Sequence, residues 1–449
     1  MSNNYSPYRD LVVGVNSNIP LLNGKLVKYV NFDNAATTPP LKRVINDIIT
    51  FCPQYSSIHR GNGYKSQLST ILYEENRRAI GNFFNYDEEY MDVIFVKNCT
   101  ESINKLAYIL MDYKPEKDVI LSSVMEHHSN DLPWRKWYNI DYINIDTNGN
   151  LLIDDLEKKL NLYEGRVKLV TVTGASNVTG HKTPIYEIAQ LAHSYDAKIL
   201  VDCAQLAPHA PIDLKPFYDL NHIDFIAFSG HKFYAPFGCG ALLGPKDIFA
   251  NCNPDHVGGG TIDFVMHDYI KWADSPDRHE AGTPNVIGAL AMVSAVDEFS
   301  KLGMKNIESY EKHLTKYATV NMISIPNLII YGDYLNFNNK VSIIPFNIEG
   351  VHHNIVAKAL SLEFGIAVRS GCFCAQPYMQ RLLHISPEQS RSFIPLPKET
   401  YPGTLRVSFG MYNTIEEINV LLYALEKIAL NRSYYISKYS NIDSSILIK

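Results

Sequence analysis

Two short apolar runs each lead directly into candidate functional residues. They are Ile199-Leu200-Val201-Asp202 and Asp224-Phe225-Ile226-Ala227-Phe228. The first run ends on Asp202 itself, and the second continues into Ser229-Gly230-His231-Lys232. Runs of this length and composition, bounded by turn residues, are typical of buried strands. In open α/β sheets, ligands bind beyond the carboxyl ends of the strands. We therefore expect Asp202 and Lys232 to share one pocket.

Strand and helix signals alternate around these two runs. Val167-Lys168-Leu169-Val170-Thr171-Val172-Thr173 is short and β-branched, and Ile185, Ile188, Ala189 and Ala192 then recur at helical spacing. Continuous apolar strands separated by helices indicate a mostly parallel sheet with helices on both faces, the α/β class. We expect the segment 238–244 to return as an antiparallel member of that sheet.

The sequence predicts three parts. Residues 41–299 form a large α/β domain, and residues 300–449 form a smaller α+β domain that carries a cysteine-containing loop. Strands are expected at 341–346 and 405–409, and the last helix at Ile415 to Leu430. Residues 1–40 form an N-terminal segment that packs on the smaller domain.

Composition excludes several classes of protein. The chain has 449 residues, of which 46% are hydrophobic and 20% charged, and its net charge of −6 gives no argument for a nucleic-acid or membrane partner. No secretory signal pattern opens the sequence, and no apolar run approaches the ~20 residues of a membrane span. Seven scattered cysteines fit reduced thiols better than a disulfide framework. We expect a cytoplasmic enzyme.

The pairing of Lys232 with Asp202 predicts the cofactor. A lysine amine can form an imine with a carbonyl, and a carboxylate can keep a pyridine nitrogen protonated so that the ring accepts electrons. These residues therefore indicate pyridoxal 5'-phosphate. Gln205 would donate to the ring's phenolic oxygen, although Asp-x-x-Gln alone is more often a helix cap. Ser229 and His231 would hydrogen-bond the cofactor phosphate.

Two further segments contain candidate cofactor ligands. Asn98-Cys99-Thr100-Glu101 follows a strand-like run and precedes an apolar helix pattern, so Thr100 can meet a phosphate at a helix N-terminus. A simple helix cap is the alternative. One imidazole of Glu126-His127-His128-Ser129-Asn130 can stack on an aromatic cofactor, whereas metal binding or a surface loop is the alternative for a His-His pair.

The run Gly371-Cys372-Phe373-Cys374 is the third constellation. Cys-x-Cys is half of a zinc site, but the chain has no second cysteine-rich spacing to complete it, and we predict no metal. A glycine-flanked loop cysteine is instead well placed to present a thiolate. Arg406 can bind a substrate carboxylate with two parallel hydrogen bonds.

Taken together, six motifs resemble the class V aminotransferase family, and within it the group of SUF-type cysteine desulfurases and selenocysteine lyases. They run in order along the chain: Asn34-Ala35-Ala36, Glu126-His127-His128-Ser129-Asn130, Asp202-x-x-Gln205, Ser229-Gly230-His231-Lys232, Glu280-Ala281-Gly282-Thr283-Pro284 and Met411-Tyr412-Asn413-Thr414. The resemblance implies a fold-type I pyridoxal-phosphate enzyme with a seven-stranded sheet, normally a homodimer.

The resemblance also implies a role for each matching residue. Those expected at the cofactor are Lys232 (covalent attachment), His127 (stacking), Asp202, Gln205, Thr100, Ser229, His231 and Asn177, with Thr283 and the region 59–61 contributed toward the other subunit's site. Those expected at the substrate are Asn34, Asn177 and Arg406. The expected reaction converts L-cysteine to L-alanine and leaves a persulfide on Cys374, which passes to a sulfur-acceptor protein, for example in iron–sulfur cluster assembly.

This chain departs from the family pattern at two places. Phe373 stands where such desulfurases usually have a histidine, and the Gly-Cys-Phe-Cys form resembles the motif of molybdenum cofactor sulfurases. The segment 386–400 looks inserted. The alternatives that stay open are a selenocysteine lyase, an isopenicillin-type epimerase, another β-lyase and a non-catalytic sulfur-relay scaffold. Cys372 can back up Cys374 or resolve it as a disulfide.

Overall fold

The computed structural model describes residues 5–440 and residue 442. Its centre is a seven-stranded sheet whose order in space differs from the order along the chain. From one edge to the other, the strands are Met91–Val96, Gly240–Pro245, Phe225–Ser229, Lys198–Asp202, Val167–Thr173, Val119–Ser123 and Asn139–Ile143. Strands that are distant in sequence thus lie side by side. Because most of them run parallel, their carboxyl ends lie at one edge of the sheet.

One strand runs against the others. Gly240–Pro245 is antiparallel to both of its neighbours, Met91–Val96 and Phe225–Ser229, whereas the remaining pairs are parallel. The predicted mostly parallel α/β sheet is confirmed, as is the antiparallel return near residue 240.

Alternate side chains of each strand enter two separate apolar clusters, one on each face of the sheet. In Lys198–Asp202, Leu200 packs with Trp134 and Phe249 on one face, and Val201 lies on the other. Both faces are therefore covered by helices, as predicted. The helices of this part are Lys42–Phe51, Tyr64–Phe83, Cys99–Ile109, Leu132–Trp137, Ile153–Leu162, Ile185–Ser194, Lys246–Asn251 and Val286–Leu302.

A second, antiparallel sheet forms most of the C-terminal part. Its strands, in spatial order, are Leu328–Ile330, Ile343–Ile348, Thr404–Ser408 and Arg369–Gly371. The helices of this part are Met304–Met322, His353–Phe364, Gln376–Leu382, Pro387–Phe393, Ile415–Leu430 and Arg432–Tyr439. The predicted helix Ile415–Leu430 is confirmed; it begins with a capping box in which Thr414 and Glu417 satisfy each other's backbone N–H groups.

Shorter elements complete the fold. Within the described residues, three two-stranded pairs occur: Asn18–Pro20 with Leu26–Lys28, Ile262–Val265 with Ile270–Trp272, and Val30–Asn31 with Ile366–Ala367. The single turns of 3-10 helix are Arg9–Leu11, Cys52–Gln54, His128–Asn130, Gly230–Lys232, Asp277–His279, Phe337–Asn339 and Lys398–Thr400.

The N-terminal segment contacts the C-terminal part. Val30–Asn31 pairs in parallel with Ile366–Ala367, and Phe32 packs in the apolar cluster of the second sheet. These contacts support the predicted packing of residues 1–40, of which 1–4 lie outside the described residues. The division into 41–299 and 300–449 stays a prediction. Because the helix Val286–Leu302 continues past residue 299, we propose Gly303 as the better limit.

Across the described ranges, 5–440 and 442, no helix is both long and apolar enough to cross a lipid bilayer.

Leu200 offers a test of this core. Its side chain is fully buried in the cluster between the sheet and one helical layer. We expect Leu200→Ala to lower the free energy of unfolding by about 2–5 kcal/mol, because it removes buried methyl groups and leaves a cavity. Urea denaturation measures this change. Leu220→Ala, at an exposed position, is the matched control; equal effects of the two substitutions would contradict the described core.

Candidate active site

A cavity of about 1000 Å³ lies at the carboxyl ends of the parallel strands and extends to the second sheet. Asp202, Ser229 and Lys232 line it from the large sheet, and Arg406 lines it from the strand Thr404–Ser408. The predicted convergence of strand-end residues is therefore observed.

Lys232 lies in the single helical turn Gly230–Lys232 that directly follows its strand. Burial lowers the pKa of this lysine, because the charged ammonium loses hydration, while the negative charge of Asp202 opposes the shift. Asp202 is buried, and its Oδ1 accepts hydrogen bonds from the Ala204 N–H (2.9 Å) and the Cys99 thiol (3.3 Å). The acid is thus fixed in position and the amine is poised to lose its proton.

One end of the cavity is rich in hydrogen-bonding groups of the kind that phosphate takes. The helix Cys99–Ile109 begins here, and the Cys99 N–H donates to Ser229 Oγ at 2.8 Å. Thr100 Oγ1 lies 2.7 Å from Ser129 Oγ. His231 also lines the cavity, and burial together with the nearby Lys232 lowers its pKa to about 4. A helix N-terminus with adjacent hydroxyls suits an anion.

His127 is neutral in this setting. Burial, followed by the charge of Lys232, lowers its pKa to about 3. Its Nδ1 accepts from the Ser129 N–H at 3.1 Å, so the neutral ring carries its hydrogen on Nε2. An uncharged imidazole with one edge fixed is suited to stacking on an aromatic ring.

Arg406 is a buried cation that keeps one hydrogen-bond donor unpartnered among the described residues. Its Nη1 donates to the Asn177 carbonyl at 2.7 Å, and its Nη2 pairs with Asp33 Oδ1 at 3.2 Å. Its Nε is buried without a partner among the described residues. Burial lowers its pKa to about 10, and Asp33 opposes that shift. The guanidinium lies 4.8 Å from the centre of the Phe373 ring.

The cysteine loop is a tight turn facing this cation. Phe373 (φ +52°) and Cys374 (φ +54°) both adopt the left-handed conformation, which is uncommon for residues with a side chain. Three hydrogen bonds hold the turn: Ala375 N–H to the Cys372 carbonyl (3.0 Å), Asn177 Nδ2 to the Phe373 carbonyl and His128 N–H to the Cys374 carbonyl (both 2.7 Å). Cys374 is exposed and lines the cavity.

The residues fit pyridoxal phosphate. Lys232 makes no hydrogen bond or ion pair within the described residues, so its amine is free to bond an aldehyde. Gln205 Oε1 is buried and also unpartnered in that part of the chain, while its Nε2 donates to the Ala35 carbonyl at 2.6 Å. The predicted donation from Gln205 to a phenolic oxygen would use the second N–H of that amide.

Two predicted site residues lie outside this cavity. Asn34 is buried, and its side chain is hydrogen-bonded to Ser408, Asn413 and Tyr412; its predicted substrate contact stays a prediction. Its amide instead fixes the chain beside the strand that carries Arg406. Thr283 is exposed on the surface; its predicted role belongs to the other subunit's site.

Several residues that line the cavity or contact its lining were given no role by sequence reasoning. Asp33 holds Arg406, Cys99 donates to Asp202, and Ser129 orients His127. Asp33 adjoins the quoted motif Asn34-Ala35-Ala36, which was the available signal. The segment 386–400 also reaches the cavity; its lining residues are Ser390, Arg391, Phe393, Ile394 and Lys398.

Zinc at the cysteine turn has no ligand set. Among the described residues, three-ligand clusters occur at His193, His222 and Asp224, and at His59, Glu74 and Asp277, and neither cluster includes a cysteine. The absence of a metal at this turn stays a prediction from the sequence.

The sheet order, the half-buried Lys232 and the nearby Asp202 define a fold-type I pyridoxal-phosphate enzyme. Sequence comparison agrees: the aminotransferase class-V family matches residues 30–421. The chain therefore belongs to the class V aminotransferase family, whose members depend on pyridoxal phosphate.

Its relatives carry a consistent description. A probable cysteine desulfurase of Synechocystis sp. is 35% identical over 425 residues, which is 93% of this chain and 95% of that protein. A probable cysteine desulfurase of Staphylococcus aureus is 35% identical and covers 90% of this chain and 93% of its own length.

Solved structures are similar over most of the chain. The apo structure of a cysteine desulfurase from Thermococcus onnurineus NA1 matches with a TM-score of 0.81 and 32% identity, covering 96% of this chain and 100% of that one. The cysteine desulfurase CsdA from Escherichia coli matches with a TM-score of 0.75 and 29% identity, covering 90% and 95%.

Lys232 can be tested as the point of covalent attachment. After loading with pyridoxal phosphate and reduction with borohydride, we expect the cofactor mass on the peptide that contains Lys232, because this amine is free and buried in the cavity. Mass spectrometry of Lys232→Ala should show no such adduct. Lys182→Ala, which removes a surface ion pair with Glu308, is the control. An adduct that persists without Lys232 would overturn the assignment.

Proposed function

We propose that the chain is a pyridoxal-phosphate-dependent cysteine desulfurase that converts L-cysteine to L-alanine and keeps the sulfur as a persulfide on Cys374. One observation carries the proposal: an exposed thiol, on a turn held by three hydrogen bonds, lines the same cavity as a half-buried lysine that makes no hydrogen bond to the described residues and a buried arginine. The relatives named above support the choice of substrate.

Arg406 is the group we assign to the substrate carboxylate. It is buried, and its Nε has no hydrogen-bond partner among the described residues. A bound carboxylate would accept hydrogen bonds from the guanidinium and would compensate its positive charge, which has lost hydration on burial. Asn177 orients it through the 2.7 Å bond to Nη1. The amino acid is thereby directed with its α-carbon toward Lys232, at the other side of the cavity.

Lys232 is the group we assign to proton movement at that α-carbon. Pyridoxal phosphate, when bound, supplies a ring that accepts the electron pair left on the carbon. Because burial lowers the pKa of Lys232, a larger share of the amine is neutral and able to take the proton. Asp202 would face the ring nitrogen, and neutral His127 would cover the ring.

Cys374 is the group we assign to the sulfur. Its thiolate attacks the sulfur of the bound amino acid: the S–S bond of the persulfide forms as the substrate's carbon–sulfur bond breaks, and the electron pair of that bond stays with the carbon fragment that becomes alanine. The positive charges of Arg406 and Lys232 interact favourably with that thiolate, since its charge raises the pKa of both groups. The nucleophile therefore meets the substrate in a region that is already positive.

Replacing Cys374 tests this role. We expect Cys374→Ser to lower sulfide release from L-cysteine, with dithiothreitol present, by at least about a hundredfold, because the attacking thiol is lost. The bound-cofactor spectrum should be unchanged. The control is Cys52→Ser, an exposed cysteine outside the cavity. Undiminished turnover in Cys374→Ser would exclude the acceptor role and favour a β-lyase or selenocysteine lyase, neither of which needs that thiol.

We also propose a homodimer. The hairpin formed by Ile262–Val265 and Ile270–Trp272 exposes a run of apolar side chains, including Phe264, Val265 and Met266. An apolar patch of this kind on a projecting element is typical of a protein interface. The exposed Thr283 lies in the neighbouring chain segment, which supports its predicted contribution to a second subunit's site.

The hairpin provides the test of that state. We expect sedimentation equilibrium to give twice the mass of one chain for the unaltered protein, and Phe264→Asp to shift it toward the monomer, because an unpaired charge is costly in an apolar interface. Leu162→Asp, at an exposed position at the end of the helix Ile153–Leu162, is the control. A monomeric mass for both the unaltered protein and Phe264→Asp would contradict the proposal.

The sulfur-acceptor protein, the use of the sulfur in iron–sulfur cluster assembly, the acceptance of L-selenocysteine and the cytoplasmic location stay predictions from the sequence.

A further inference from the structure

Three thiols line the cavity: Cys99, Cys372 and Cys374. Cys99 is not available for reaction, because its thiol is buried and donates a hydrogen bond to Asp202, and burial raises its pKa well above the ordinary value. Cys372 is half-buried and has no such commitment to a side chain. It is therefore the one cavity thiol, within the described part of the chain, that the proposed reaction leaves unused.

The turn keeps Cys372 close to Cys374. The two residues are separated only by Phe373, and the Ala375 N–H closes the turn on the Cys372 carbonyl at 3.0 Å. The carbonyls of Phe373 and Cys374 are each fixed by a 2.7 Å hydrogen bond. Two virtual bonds of ~3.8 Å each limit the separation of the two Cα atoms to ~7.6 Å, and the bend of the turn shortens it toward the ~4.4–6.8 Å over which a disulfide can close.

We propose that Cys372 is a resolving thiol, so that turnover itself creates a modification site, a disulfide between Cys372 and Cys374. This inference rests on the proposed function, which supplies the persulfide. When no acceptor protein takes the sulfur, Sγ of Cys372 attacks Sγ of the Cys374 persulfide. The new Sγ–Sγ bond forms as the bond to the outer sulfur breaks, and the electron pair leaves with that sulfur as hydrosulfide.

The step balances without an added oxidant. The outer sulfur of the persulfide is reduced to sulfide, the two side-chain sulfurs are oxidised to the disulfide, and the thiol proton of Cys372 leaves with the hydrosulfide or to solvent. Burial raises the pKa of the Cys372 thiol, while the N–H groups of Cys374 and Ala375 lower it. Attack is intramolecular, so it competes well with thiols in solution.

The consequence is a product that differs from the simple persulfide enzyme. Each turnover without an acceptor releases one sulfide and leaves Cys374 blocked until a thiol reductant reopens it. The enzyme thereby stops turning over L-cysteine when no acceptor protein is present to take the sulfur.

The test uses the holoenzyme, loaded with L-cysteine without added reductant, freed of small thiols by gel filtration and then alkylated. Trypsin should release a peptide from Ser370 to Arg381 that contains both cysteines. In the unaltered protein we expect that peptide unalkylated and lighter by two hydrogen atoms, with sulfide released in equal amount. In Cys372→Ser we expect one extra sulfur to persist on Cys374 with a lifetime at least about tenfold longer.

Two comparisons make the outcome decisive. Cys372→Ala repeats the test with a second side chain, and Cys52→Ser must behave like the unaltered protein. If alanine forms and the persulfide lasts as long in the unaltered protein as in Cys372→Ser, the resolving role is wrong and the proposed function stands. If neither protein forms alanine or gains sulfur, the proposed function and this inference both fail.

Discussion

The candidate site depends on two basic side chains, the half-buried Lys232 and the buried Arg406, each influenced by a carboxylate from another part of the chain. Burial lowers the pKa of both, because a charged group loses hydration when it leaves water. Asp202 opposes the shift at the lysine and Asp33 opposes it at the arginine. The roles that we propose for these groups, proton transfer at Lys232 and carboxylate binding at Arg406, both place a negative charge or a substrate beside a cation that has lost hydration.

The two cations come from different sheets, so the cavity exists only when the sheets are joined. Lys232 follows a strand of the seven-stranded sheet, whereas Arg406 lies within Thr404–Ser408 of the second sheet. Arg406 connects them by donating to the carbonyl of Asn177, which follows Val167–Thr173. A substrate between the two cations is consequently held by both parts of the fold at once.

The sequence predicted the residues that lie directly after strands and missed those that act across the chain. Asp202 and Lys232 were predictable, because apolar runs mark the strands and parallel strands place their carboxyl ends together. Asp33 was not, since its role arises from contact with Arg406, 373 residues away. The approach of the segment 386–400 to the cavity was missed for a related reason: an insertion has no periodicity that indicates where it folds.

Phe373 changes how the acceptor thiol can lose its proton. The resemblance leads one to expect a histidine there, which would supply a base beside Cys374, but a phenyl ring has no proton to exchange. The ring instead packs against the Arg406 guanidinium at 4.8 Å and keeps it from water. His128, whose N–H already binds the Cys374 carbonyl, accepts from Gln376 N–H through its Nε2 at 3.3 Å. Because that ring nitrogen already accepts a hydrogen bond, His128 does not take the place of the expected histidine beside Cys374.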